Sequence, residues 1–354
     1  MKIEFFVGEF SEGGAERVIS ILANELTSRG HEVVILKYFN SINYYKTDER
    51  VKISSLEELT GTKSKLKNIA YLHKHLKSFD GVFVSFLAPF NILALIANMG
   101  NKTPLIVADR NDPSKLPGNK FLRMLRDYLY RFADRVVVQT SKNKAYFSNK
   151  VQYKTEVIYN PLILNGMEGK AINSLKSKTI INIGRLEPQK NQDMLIDVFK
   201  KFYETHPDYK LVIYGEGSYR ENLEDKISGL KLNESISMPG NVKDIFDRLC
   251  DCEFFVLSSN YEGMPNALIE AMGLGVPVIS TRVSGATDLI EDGVNGILID
   301  VNDADGLFNS MIKLAESEEL RNKLSLEAVK ITELLNSRNV CDIWEKTIND
   351  VLRK

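Results

Sequence analysis

Along this chain, short apolar runs alternate with stretches in which apolar residues recur at helical spacing. Residues 2–7 are the first such run and predict a buried strand. In residues 15–28 the apolar positions Val18, Ile21, Leu22 and Leu26 predict a helix, and Gly30 in Arg29-Gly30-His31 supplies its C-terminal stop. The alternation predicts further strands at 32–38, 81–86, 105–108, 135–139 and 156–159. Periodicity lapses after Asn160-Pro161, so the stretch to residue 178 reads as a linker. A second series then follows, with strands in "TIINIGRL", "KLVIYGEG", "SISMPG", "EFFVLSS", "PVIST" and "GILID". Strands separated by helices form parallel sheets covered on both faces. Two such series predict an α/β protein of two doubly wound, Rossmann-like domains facing a cleft, with ligands at the carboxyl ends of the strands. The expected domains are residues 1–165 and 166–339, and a last helix, 340–353, is placed to cross back to the first.

Composition agrees with this picture. A chain of 354 residues is long for one core, and 44% hydrophobic with 26% charged residues excludes a disordered one. The most apolar stretch, "VFVSFLAPFNILALIANM" (82–99), is interrupted by Pro89 and Asn91 and reads as strand, tight loop and helix, not a membrane span. The opening run is too short, and carries an acid, for a signal peptide. Cys250, Cys252 and Cys341 read as reduced thiols of a cytosolic protein, and with no histidine near Cys250-x-Cys252 no metal site is expected.

Charge adds an asymmetry. Residues 1–170 hold 25 lysines and arginines against 17 acids, while the remainder holds 21 against 30. The N-terminal half is therefore expected to meet something anionic. Its basic residues concentrate in 61–150, where Lys63, Lys65, Lys67, Lys74, Lys77, Arg123, Arg126, Arg131 and Arg135 accompany two apolar sets. One set is Leu66, Ile69, Leu72 and Leu76, the other Phe121, Leu122, Leu125 and Leu129. Such helices suit an anionic bilayer, and equally suit a core-facing position with solvated lysines.

Four strand-end loops carry candidate chemistry. "GEFSEGGAER" (8–17) leads into a helix whose first amides can hold an anion, though its glycine spacing is not the dinucleotide fingerprint and a plain turn fits as well. "IGRLEPQKN" (183–191) places Arg185 and Lys190 after a strand at Gly184: a pair suited to a diphosphate, or two solvated cations. "YGEG", with Glu216, and "SMPG", with Pro239, are loops that bring backbone to a flat ring or are ordinary turns. The last is "NYEGMPNALIEAMGLGVPVIST" (260–281). There Glu262 precedes a helix expected over 267–273 and Glu270 lies within it. Carboxylates accept hydrogen bonds from vicinal hydroxyls, so the two read as clamps on two sugars of one ligand. The amides of Met264, Asn266, Ala267 and Leu268 between them suit phosphates.

The stretch "EGMPNALIEAMGLGVPVIST", with Ser284-Gly285 and "DLIEDGVNGILI" after it, strongly resembles the donor-site signature of retaining GT-B glycosyltransferases, the family with glutamate, seven residues and a second glutamate. "GGAERV", "RNDP" (110–113), "NPL" (160–162) and "IGRLEPQKN" fall in that family's order, over essentially the whole chain. The nearest resemblance is to bacterial enzymes that extend lipid-linked oligosaccharides, including N-acetylgalactosaminyltransferases of N-glycan and surface polysaccharide assembly. The resemblance implies that Glu262 binds donor-sugar hydroxyls beside Gly263, Met264 and Pro265, and that Glu270 binds the ribose. It implies that Arg185 and Lys190 neutralise the diphosphate and the charge growing on it as it leaves. Gly14 would let the first domain's loop approach the phosphates, and Gly184, Glu216, Pro239, Asn266, Ala267 and Leu268 would complete the donor site. Many relatives carry a histidine where this chain has Arg110, followed by Asn111 and Asp112. A guanidinium is no base; it suits a sugar oxygen or a lipid phosphate, which leaves the acceptor-activating group open.

The implied enzyme moves a hexose or N-acetylhexosamine (GalNAc, Gal or GlcNAc type) from a UDP-sugar to a polyprenyl-diphosphate-linked saccharide. It does so with retention of configuration and with neither metal nor cofactor. Residues 1–165 would bind the acceptor and 166–339 the donor, in the cytoplasm, on the anionic inner face of the cell membrane, with no nucleic acid involved. Two alternatives are a nucleotide-sugar epimerase, which needs acid and base groups at the sugar, and a non-catalytic nucleotide-sugar-binding partner subunit.

Overall fold

The computed structural model describes residues 1–11, 13–172, 174 and 176–353. Glu12 of the glycine-rich loop, Asn173 and Leu175 of the expected linker, and Lys354 lie outside the described residues. The chain forms two compact units, Met1–Pro161 with Leu335–Lys354, and Leu162–Leu334.

In the first unit, seven strands form one sheet: β1 (Lys2–Val7), β2 (Glu32–Lys37), β3 (Lys52–Ser55), β4 (Val82–Phe86), β5 (Leu105–Ala108), β6 (Arg135–Val138) and β7 (Thr155–Val157). Their order is β3-β2-β1-β4-β5-β6-β7 and every pair is parallel. β3 was not among the expected strands. It is the edge strand, reads "KISS" and buries only Ser55, so it carries no apolar pattern. On one face pack the helices Gly14–Ser28 and Ser337–Leu352, with Trp344 stacked 5.7 Å from Phe86. Arg29, just past the first of these helices, reaches Asp342 at 2.5 Å and Glu345 at 2.7 Å on the second. On the other face lie Lys65–Ser78, Ala88–Ala97 and Lys120–Leu129. Residues 82–97 thus fold as a strand and a helix, and no described helix is long and apolar enough to cross a membrane.

In the second unit, β8 (Thr179–Ile183), β9 (Lys210–Tyr214), β10 (Ile236–Gly240), β11 (Phe254–Leu257), β12 (Val278–Thr281) and β13 (Ile297–Ile299) form a parallel sheet of order β10-β9-β8-β11-β12-β13. The stretch expected as a linker is packed instead. Leu162, Leu164 and Ala171 are buried, and the N–H groups of Gly169 and Ala171 bond the carbonyls of Gly273 (3.0 Å) and Leu274 (2.9 Å). Its apolar residues close over one helix end, so they show no repeat. Cys250, Cys252 and Cys341 are buried free thiols, and burial pushes Cys252 up to about 12.

Each sheet reverses its direction of winding once, between β1 and β4 in the first and between β8 and β11 in the second. Loops leaving the strands at such a point diverge and leave a crevice, where open parallel sheets bind ligands.

Candidate functional site

At the β8/β11 point the two diverging loops are laced together. Asn260 N–H donates to Gln189 O, and Gln189 Nε2 donates to Tyr261 O, both at 2.8 Å. Ser258 Oγ donates to Lys190 O at 2.9 Å, and Thr281 Oγ1 at the end of β12 donates to Ser259 O at 2.7 Å. This lacing sets Lys190 Nζ 2.5 Å from Glu262 Oε1, and Ser259 Oγ donates to the same oxygen at 2.7 Å. Glu262 is only 7% exposed, so the pair lies in a poorly screened environment where each charge needs the other. Arg185, at the exposed end of the β8 loop, has no ion-pair partner among the described residues.

Just beyond Glu262, the chain turns through Met264 and Pro265 into the helix Asn266–Leu274. Ile269 N–H donates to Pro265 O at 3.3 Å. The amides of Asn266, Ala267 and Leu268 precede that bond and form the positive end of the helix. Glu270 sits in the same helix, 6% exposed among the buried Leu268, Ile269, Ala271 and Met272. The Gly263-Met264-Pro265 turn rests against the helix Ser284–Leu289 at Gly285, where an added Cβ would lie 2.6 Å from Gly263 O.

The ends of β9 and β10 close against the β8 loop. Leu186 N–H donates to Glu216 O at 3.0 Å, and a Cβ on Gly217 would lie 2.2 Å from Leu186 O. Glu216 is held by Arg220 through two 2.8 Å contacts, and Arg220 also reaches Met238 O at 3.1 Å. Glu216 thus ties the strand ends together, while Pro239 is exposed at the end of β10. Asp303-Ala304-Asp305 is an Asp-x-Asp by sequence, but Asp303 caps the helix Ala304–Glu316, accepting from Gly306 N–H at 2.8 Å.

In the first unit, Gly14 opens the helix after the β1 loop and is exposed; Gly13 O beside it accepts from Tyr45 Oη at 3.1 Å. Arg110 follows β5 and is 6% exposed. Its Nη2 donates to Asn160 Oδ1, which also accepts from Gln139 Nε2 at 2.6 Å, and its guanidinium lies 5.7 Å from the Phe86 ring. Its Nε and Nη1, and Gln139 Oε1, are buried without a hydrogen-bond partner among the described residues. Burial pulls the Arg110 pKa down to about 9, against the Asp109 carboxylate, which leaves it charged at neutral pH. Asp109 accepts from Tyr130 Oη at 3.1 Å and lies 3.6 Å from Arg126; burial raises its pKa although Arg126 opposes this.

The structure therefore joins Lys190 to Glu262 and sets both beside Gly263, Met264, Pro265 and the helix amides. Gly14 and Arg110 belong to the other unit. Sequence reasoning passed over Ser259, Gln189, Thr281 and Gln139. Ser259, Thr281 and Gln139 share one sequence signal, a polar residue at or just after the end of an apolar run; Gln189, within the loop after β8, has none.

The family described as Glycosyl transferases group 1 matches residues 168–330, and Glycosyltransferase Family 4 matches 12–165. A Campylobacter jejuni protein is 31% identical over 99% of both chains. It is described as GalNAc-alpha-(1->4)-GalNAc-alpha-(1->3)-diNAcBac-PP-undecaprenol alpha-1,4-N-acetyl-D-galactosaminyltransferase. A second C. jejuni protein, an N-acetylgalactosamine-N,N'-diacetylbacillosaminyl-diphospho-undecaprenol 4-alpha-N-acetylgalactosaminyltransferase, is 30% identical over 90% of this chain and 92% of its own. Among solved structures, Anabaena HepE with UDP and glucose superposes with a TM-score of 0.86 at 20% identity over 99% of both chains. Sucrose-phosphate synthase from Thermosynechococcus elongatus does so with 0.85 at 16% identity, again over 99% of both. Relatives of this identity and coverage, and two parallel-sheet units of this architecture, place the chain among the group 1 glycosyltransferases with the GT-B fold.

Proposed function

We propose that this glycosyltransferase takes a UDP-sugar in its second unit. It would transfer an N-acetylhexosamine or hexose, of GalNAc, Gal or GlcNAc type, to a saccharide on a polyprenyl diphosphate. The observation that carries the reading is the Lys190–Glu262 pair beside the N-terminus of Asn266–Leu274. A diphosphate that takes a share of Lys190 frees Glu262 Oε1 for sugar hydroxyls, while Arg185 and the amides of Asn266, Ala267 and Leu268 meet the remaining phosphate charge. Glu270, one turn along the helix, suits the ribose hydroxyls. The two Campylobacter relatives, which act on undecaprenyl-diphosphate saccharides, support a lipid-carried acceptor met at an anionic membrane surface. Arg110, with its unpaired Nε and Nη1, would bind an acceptor oxygen in the first unit.

The transfer retains configuration. The bond from the anomeric carbon to the UDP oxygen breaks, the acceptor oxygen bonds to that carbon on the same face, and the acceptor proton passes to the leaving diphosphate. Arg185 and Lys190 stabilise the charge that develops there, without a metal or a cofactor. A panel of UDP-sugars, each with and without a polyprenyl-diphosphate saccharide, tests this reading. UDP release from one donor, dependent on acceptor and unchanged by a chelator, is the expected result. Epimerisation of the donor without UDP release would replace the proposal with an epimerase, and no turnover of any donor would leave a binding subunit.

A further inference from the structure

The Lys120–Leu129 helix turns its apolar side outward. Phe121, Met124, Leu125 and Tyr128 fall at i, i+3, i+4 and i+7, and Phe132 continues the stripe one turn beyond. A stripe at this spacing ordinarily faces a core. Here its members are 80, 60, 36, 51 and 58% exposed, in that order. The inward side carries Arg126, 0% exposed, which donates to Leu116 O at 2.6 Å, Pro113 O at 2.8 Å and Asp127 Oδ1 at 2.7 Å, with Asp109 3.6 Å away. Rolling the helix to bury the stripe would tear Arg126 from these partners and leave Asp109 buried without its cation. The outward stripe is thus fixed by the buried charge network behind it.

Cations rim the stripe. Lys115, Lys120 and Arg131 are exposed, and the Arg131 guanidinium stands 4.3 Å over the Tyr128 ring. The helix has one acid, Asp127, and its oxygens are taken by Arg126 and by Tyr146 Oη at 3.0 Å. Ala88–Ala97 packs between this helix and Lys65–Ser78, which exposes Lys65, Lys67, Lys74 and Lys77 from the same layer. We infer that the Lys120–Leu129 helix and Phe132 form an interfacial anchor that lays its apolar stripe into a bilayer of anionic lipid, with the rim cations at headgroup phosphates. Charge selects this occupant: a second copy of the chain would bring the same cations against these, and the stripe offers no acidic rim to a basic partner. The inference deepens the lipid-acceptor reading above, but it is measured with neither donor nor acceptor present.

The test is sedimentation of the full chain with phosphatidylcholine vesicles, with and without phosphatidylglycerol, at low and high salt. The chain is expected to sediment with phosphatidylglycerol vesicles at low salt. Phe121→Ser with Met124→Ser should lower that partitioning by about tenfold or more. Lys120→Gln with Arg131→Gln should remove most of its salt dependence, and Leu66→Ser, at an exposed leucine on the lysine-rich helix, should change nothing. All five substituted positions are exposed, so unchanged thermal melting is expected for every variant. Failure of the parent chain to sediment at low salt overturns the inference. So does equal sedimentation of the Phe121/Met124 variant, or a solution dimer that this variant dissolves without any vesicle binding. Vesicle binding without acceptor-dependent UDP release keeps the anchor and removes the proposed function; release on detergent-solubilised acceptor without vesicle binding does the reverse.

Discussion

The two units treat charge at their strand ends in opposite ways. In the second unit Lys190 and Glu262 neutralise each other, Ser259 adds a hydrogen bond, and the loops that hold them are laced by backbone contacts. In the first unit Arg110 is nearly buried with one side-chain partner, while its Nε and Nη1 have none among the described residues. A self-paired site rests at low cost and can exchange its internal ion pair for a ligand's charge. An under-satisfied guanidinium costs stability in the resting fold, and that cost is recovered only when a ligand oxygen arrives. The second unit therefore suits a ligand that carries both anionic and hydroxyl groups, and the first a ligand that supplies acceptors alone.

The comparison breaks most sharply at Glu262. Removing its carboxylate leaves Lys190 in a sheltered position without a counter-charge and takes away the proposed hold on the sugar. For Glu262→Ala we expect acceptor-dependent UDP release to fall by about a hundredfold or more, the scale of losing one polar contact made in the transition state. UDP alone should bind at least as well, because Lys190 is then free for phosphate. Undiminished turnover would remove Glu262 from the site, and a matching loss of UDP affinity would make the pair structural.

Arg110 gives the opposite signature. Arg110 makes no ion pair among the described residues, and a buried charge left unpaired is costly, so an apolar side chain of similar size should relieve that cost. Gln139 and Asn160 keep their mutual bond in Arg110→Met, so no new orphan arises. We expect the melting temperature to rise by a few degrees while acceptor-dependent turnover drops about tenfold. Arg110→Lys should not restore turnover, since an ammonium lacks the planar fork. A lower melting temperature with normal turnover would show Arg110 to be a structural residue and end the contrast between the units.

What was legible in the sequence follows from the range of each interaction. Strand and helix periodicity is local, so both strand series, the Val82–Phe86 strand with its following helix, and the helix carrying Glu270 could be read directly. β3 could not, because its one apolar residue, Ile53, stands among Lys52, Ser54 and Ser55 and makes no pattern. The stretch from Leu162 was read as a linker because its apolar residues bury one by one against a distant helix end. Residues of the site could be nominated by their place after strands, but the Lys190–Glu262 contact spans 72 residues and depends on β8 lying beside β11. The two basic amphipathic helices look alike in sequence and part company in the fold. Leu72 and Leu76 of one are buried while Leu66 is exposed; in the other only Leu129 of the expected set is buried, and Phe121, Leu122 and Leu125 face outward because Arg126 finds its partners within.

The smallest expected effect tests whether backbone lacing, apart from charge, sets the second site. An alanine Cβ at Gly217 would lie 2.2 Å from Leu186 O and 2.7 Å from Leu186 N, and neither atom is the tip of a flexible side chain. The β8 loop, which carries Arg185 and Lys190, must therefore move in Gly217→Ala. Overpacking of this kind costs about 1–3 kcal/mol, and the displaced cations should raise the donor KM several-fold while kcat changes less, because Glu262 and the helix amides keep their own supports on β11 and β12. Ser218→Ala, next in sequence, removes only exposed contacts to Glu187 and should shift stability by no more than about 0.5 kcal/mol. Equal behaviour of the two variants would mean that the β8 loop is positioned by the Lys190–Glu262 attraction and not by its packing on β9. The difference between the units would then lie in charge alone.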